Sequence, residues 1–145
     1  MAEGLFNDIQ KRRGNSDTWQ AESAGVWGLD GNPATSGAIQ AMQRRGIDIR
    51  MHRARTVNKE MVEEADLILT MERNHKDGLR AAFPSCAKKV YTLAEMAGMN
   101  HDIRDPIGGL EPDYEDTANE LEQLLIVGWA QIQASIESGQ GDVES

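Results

Sequence analysis

Residues Asp66-Leu67-Ile68-Leu69-Thr70-Met71 form a nearly continuous apolar run. Such a run is the pattern of a strand buried on both faces of a parallel sheet. Segments of helical spacing flank it. Upstream, Met61, Val62 and Ala65 mark a short helix that Asn58 can cap. Downstream, Leu79, Ala82 and Phe83 mark another, stopped at Pro84. Strands alternating with helices imply an α/β fold with a parallel sheet, doubly wound with helices on both faces. Right-handed crossovers place a site beyond the C-terminal ends of such strands.

The alternation extends over most of the chain. Leu5, Phe6 and Ile9 lie at helical spacing, and Gly14 suits the stop. Thr18–Ala24 is expected as a strand ending at Gly25, followed by a loop with Gly28, Gly31, Asn32 and Pro33. Ala38, Ile39 and Met42 mark a second helix closed by Gly46. Lys89–Leu93 is a further strand, and a short helical stretch leads to Asp105-Pro106. Ala118, Leu121, Leu125, Trp129, Ile132 and Ile136 form the apolar stripe of one long last helix. Thr117-Ala118-Asn119-Glu120 offers a capping box for its start, with Asp113 as a competing start. One domain is expected over residues 1–137. Residues 138–145, small, polar and glycine-containing, are expected as a disordered tail.

Composition narrows the function. At net charge −9 the chain disfavours general nucleic-acid or anionic-membrane binding. Lys11-Arg12-Arg13 and Arg44-Arg45 are read as solvated helix ends, where cations are favoured. No apolar run approaches a membrane span. The first residues carry an acid and no basic region before an apolar stretch, unlike a signal peptide, so the cytoplasm is the expected compartment. One cysteine, Cys86, excludes an internal disulfide framework, and His52, His75 and His101 share no metal-ligand spacing. No metal or cofactor is expected, and none of these histidines is assigned to catalysis.

The chain opens on a helix and shows only three strand patterns. Doubly wound domains ordinarily place an early strand at the sheet centre, followed by a ligand-binding loop and the first helix. Five segments carry a resemblance that bears on this. They are Met1–Phe6; Glu22-Ser23-Ala24-Gly25; Gly46–Ile49 with His52-Arg53-Ala54-Arg55; Glu64–Glu72; and Asp105-Pro106-Ile107-Gly108-Gly109. In order and spacing they resemble the low-molecular-weight protein-tyrosine-phosphatase family, whose bacterial branch includes protein-arginine phosphatases. The resemblance runs from residue 1 to about residue 137. It implies the phosphotyrosine protein phosphatase I-like fold with its central first strand missing. It also implies that the chain starts one strand and one loop late.

One departure decides the chemistry. The family's signature is a cysteine, five residues, an arginine and a Ser/Thr on the loop before the first helix. That loop wraps phosphate with backbone N–H groups and yields a thiolate nucleophile. Residues 1–145 contain no such motif: Cys86 is followed by Ala87-Lys88-Lys89-Val90-Tyr91-Thr92. Cys86 is read as a partly buried structural thiol, and no nucleophile is assigned.

The remaining site residues follow from the resemblance. Asp105 corresponds to the general acid, which protonates the leaving group and then activates the hydrolytic water. Trp27 corresponds to an aromatic wall of the substrate pocket, and Ile107 lines it. Ser23 corresponds to a hydroxyl that supports the phosphate loop. Trp19 and Trp129 are read as core. Tyrosine-specific members often carry two aromatics after Asp-Pro. Here Ile107-Gly108-Gly109 stands there, nearer the arginine phosphatases, and both substrates stay open.

The implied function is hydrolysis of a phosphorylated protein through a cysteinyl-phosphate, with residues 1–145 inactive on their own. The alternative is a non-catalytic remnant or binding module. Arsenate reduction, which passes oxidation along further cysteines, ranks last. A missing central strand would leave open sheet edges, and self-association through them is expected.

Overall fold

A computed structural model gives the fold and describes residues 1–14, 19–25 and 30–142. It divides into two compact units: Met1–Val57 with Asp105–Glu122, and Asn58–Arg104 with the chain from Gln123 onward.

The first unit starts with helix α1, Ala2–Arg12, which buries Leu5 and Ile9. The spacing of four that predicts the helix also sets its inward face. Gly14, at φ +77°, adopts the left-handed conformation that suits a residue just beyond a helix. Helix α2, Ser36–Gln43, is capped by Thr35, whose hydroxyl accepts the Ala38 N–H at 3.4 Å. It buries Ala38, Ala41 and Met42. Arg44 and Arg45 follow it. They are not merely solvated ends. Arg44 pairs with Glu111 and Glu115, and Arg45 with Glu115, Asn119 and Glu122. These acids lie on helix α6, Glu111–Val127. The Tyr114 ring packs against Gly37, where no side chain stands in its way.

The strand expected over Thr18–Ala24 does not form among its described residues. A strand exists through its ladder, and Trp19 is satisfied otherwise. The buried Gln10 side chain donates to the Trp19 carbonyl at 2.8 Å and accepts the Trp19 N–H at 3.1 Å. Gly25 alone makes a parallel bridge, to Thr56, and Pro33 makes an antiparallel one to Arg53. Residues 52, 54 and 56 are half-buried and alternate with exposed Met51, Arg53 and Arg55, the period of an extended segment.

The second unit holds α3 (Lys59–Glu64), β1 (Ile68–Thr70), α4 (Arg73–Ala82), a 3-10 turn (Pro84–Lys89), β2 (Val90–Thr92), α5 (Leu93–Met96) and α7 (Trp129–Asp142). Asn58 caps α3 as expected, accepting the Met61 N–H at 2.9 Å. β1 and β2 are parallel, with Ile68 opposite Val90, Leu69 opposite Tyr91 and Thr70 opposite Thr92. Thr92 and Glu95 close a capping box on α5. The Cys86 thiol is buried on the 3-10 turn, 3.8 Å from the Ser85 hydroxyl.

Two expectations change here. β1 is not buried on both faces: Ile68 and Leu69 are half-buried and Thr70 is buried. Among the described residues β1 has one partner strand, β2, so a second edge lacks ladder cover. The last helix is two helices. The stripe residues Ala118, Leu121, Leu125, Trp129, Ile132 and Ile136 are all buried, but the chain breaks at Gly128 between α6 and α7. A Cβ there would lie 2.9 Å from the Leu124 carbonyl oxygen and from Met96. Because α6 begins at Glu111, Thr117–Glu120 is helix interior and not a cap. α7 runs to Asp142, into the segment whose composition suggests a tail.

Candidate active site

Asp105 lies in the first unit, exposed, on the loop that precedes α6. Three backbone devices shape that loop. The Ile107 N–H donates to Asp105 Oδ1 at 3.0 Å, an aspartate side chain standing in for a backbone turn. The Gly109 N–H donates to the Pro106 carbonyl at 2.8 Å, closing the next turn. Gly108, at φ +79°, occupies the left-handed region that glycine enters without steric cost. Asp-Pro-x-Gly-Gly thus specifies a compact, preformed loop. A carboxylate held on such a loop can deliver and take back a proton.

The charge of Asp105 is felt at the start of α1. The amino group of Met1 is held below the usual amine pKa by burial, while the charges of Glu3 and Asp105 pull it upward. Asp105 is therefore within electrostatic reach of the helix start. Met1 provides no side-chain cap. Helix N–H groups without caps favour negative charge, as does the helix dipole. Glu3 on this first turn lies 3.3 Å from His52 Nδ1. The same turn is packed closely: a Cβ on Gly4 would lie 3.0 Å from Ile49 and 3.2 Å from Ile47.

The other expected residues divide. Ile107 is 65 % exposed beside Asp105, with its apolar side chain open to solvent. Ser23 is half-buried on the extended stretch before Gly25, and its carbonyl accepts from the Arg55 guanidinium at 3.5 Å. Trp27 lies outside the described residues. Asp30 is tied to Thr56. Its Oδ1 accepts both the Thr56 N–H and the Thr56 hydroxyl, each at 2.7 Å. His52 received no role from the sequence. The alternation of His52, Ala54 and Thr56 against Met51, Arg53 and Arg55 is the signal that places it inward.

A family profile described as "Low molecular weight phosphotyrosine protein phosphatase" matches residues 1–138. The chain is 36% identical to the protein-arginine-phosphatase of Bacillus subtilis over 126 residues, covering 86% of this chain and 82% of that one. It is 39% identical over 107 residues to a probable low molecular weight protein-tyrosine-phosphatase of Ralstonia nicotianae, with 74% and 72% covered. Its fold is similar to the crystal structure of a low molecular weight protein tyrosine phosphatase from T. tengcongensis. There the TM-score is 0.84 at 38% identity, over 90% of this chain and 88% of that one.

Proposed function

The chain belongs to the low molecular weight phosphotyrosine protein phosphatase family, and from that premise we propose that it is the body of a protein phosphatase acting on phosphotyrosine or phosphoarginine. Asp105 carries the proposal: a carboxylate on a preformed Asp-Pro-Ile-Gly-Gly loop, within electrostatic reach of the start of α1. In this scheme a cysteine thiolate attacks phosphorus, and Asp105 protonates the departing phenol oxygen or guanidinium nitrogen. Water, deprotonated by Asp105, then cleaves the phosphorus–sulfur bond and releases phosphate. Ile107 and Trp27 flank the leaving group, and Ser23 steadies the phosphate loop.

The thiolate and its arginine come from a strand and loop joined ahead of Met1, the central strand of a doubly wound sheet. One fact supports this: no Cys-x5-Arg occurs in residues 1–145. Residues 1–145 alone are therefore inactive. Ile107-Gly108-Gly109, without the aromatic pair, favours phosphoarginine. The setting is cytoplasmic; no helix among the described residues is long and apolar enough to cross a membrane. The missing motif also supports a second reading, a non-catalytic remnant that binds a partner. Arsenate reduction ranks last, because the single cysteine is buried.

The test joins the N-terminal strand and phosphate loop of the B. subtilis relative to Met1. The joined protein should hydrolyse aryl phosphates. Asp105→Ala should then slow substrates with poor leaving groups by about 10² to 10⁴. A folded but inert joined protein would favour the remnant reading.

A further inference from the structure

We infer that Asp113 is a positioning residue for the Asp105 loop, an inference that rests on the general-acid role proposed above. The Leu110 N–H donates to Asp113 Oδ2 at 2.8 Å, while the Asp113 N–H donates back to the Leu110 carbonyl at 3.0 Å. α6 begins at Glu111, so Leu110 stands at the cap and Asp113 at the third helical position. An acid there that reaches back to the cap N–H is one half of a capping box. Leucine has no side-chain oxygen for the other half, so Asp113 is the side chain that fastens this end.

The fastening reaches Asp105 through four residues. Leu110 follows Gly109, whose N–H closes the turn on Pro106, and Pro106 follows Asp105. Gly109 leaves room for the arrangement: a Cβ would lie 2.7 Å from Asp113 Oδ2 and 2.8 Å from the Pro106 carbonyl oxygen. At the far end Tyr114 is buried against Gly37, so the helix start cannot drift. The loop is thus pinned between the Asx turn at Asp105 and the carboxylate of Asp113. Releasing Asp113 widens the range of positions Asp105 samples, and proton delivery suffers without loss of any group that touches substrate.

Amide hydrogen exchange on the full chain tests this, with Leu110 and Ile107 as reporters and Leu69 of β1 as the control. Asp113→Ala should speed exchange at Leu110 by roughly 2- to 30-fold, the range of a lost cap. Ile107 should follow, and Leu69 should not. Asp113→Asn keeps an acceptor oxygen and should restore both reporters. Gly109→Ala, with Asp113 intact, should free the same two amides if Asp113→Ala fails to fold. Release of Leu110 with Ile107 unchanged would overturn the inference, as would a loss that Asp113→Asn shares in full. In the joined enzyme, Asp113→Ala should lower kcat for poor leaving groups and spare KM. If Asp105→Ala has no leaving-group effect while the exchange pattern holds, the general-acid role fails and the fastening stands.

Discussion

Gly37 is the position where a single methyl group should do the most local damage. It sits in the first turn of α2, and a Cβ there would lie 2.4 Å from Cδ2 and Cε2 of Tyr114 and 2.7 Å from Cζ. Carbon atoms pack best at about 3.5–4.0 Å, so the ring must retreat by roughly 1 Å. Tyr114 is only 7 % exposed and has little room to do so. Overpacking of this kind costs about 1–3 kcal/mol. Replacing glycine by alanine in a helix returns up to about 1 kcal/mol. Gly37→Ala should therefore lose about 1–2 kcal/mol, equivalent to a fall in Tm of about 3–6 °C for a chain of this size. Urea and thermal unfolding of the joined protein measure it. Tyr114→Ala removes the obstacle, so the double variant should be no less stable than Tyr114→Ala alone. Simple additivity of the two losses, or a Gly37→Ala protein at least as stable as the parent, would refute the packing described for α2 and α6.

Trp129 is 1 % exposed, and Trp129→Ala should cost about 3–5 kcal/mol in the same unfolding assay. Acid should unfold the protein partly through Glu95 and Glu115. Burial pushes the Glu95 pKa up, but bonds from Lys76 and Thr92 outweigh it and hold it below the ordinary value of 4.5. The Glu115 pKa is lowered first by its bond from Arg44. A carboxyl depressed in the folded state contributes stability above its unfolded pKa and loses it as pH falls through the folded one. Glu95→Gln should flatten the fall in stability below pH about 4.5, read from urea midpoints across the acid range. Self-association of residues 1–145 through the second edge of β1 should appear in light scattering and diminish once the N-terminal strand is joined.

Short-range chemistry was the legible part of the fold. Asn58, Gly14 and Gly46 are local signals, and the helices they bound form where expected. Trp19–Ala24 was misjudged because a strand depends on its partner. The sequence could not reveal that Gln10, nine residues away, would take the Trp19 backbone groups. The break at Gly128 was hidden by a stripe that keeps its spacing across it. Thr117–Glu120 resembled a cap because capping residues are also acceptable inside a helix. Asp105 was singled out as a candidate through resemblance alone, since an Asp-Pro pair is ordinarily a turn. Arg44 and Arg45 seemed solvated because their acids lie some seventy residues away on α6.

The most direct test is steady-state hydrolysis of a small aryl phosphate by two proteins, residues 1–145 and the same residues joined to a phosphate loop. The proposal predicts no turnover for the first, since losing a nucleophile costs on the order of 10⁶ in rate. It predicts roughly 10 per second for the second. Turnover near that rate by residues 1–145 alone, or a folded joined protein without activity, would contradict it.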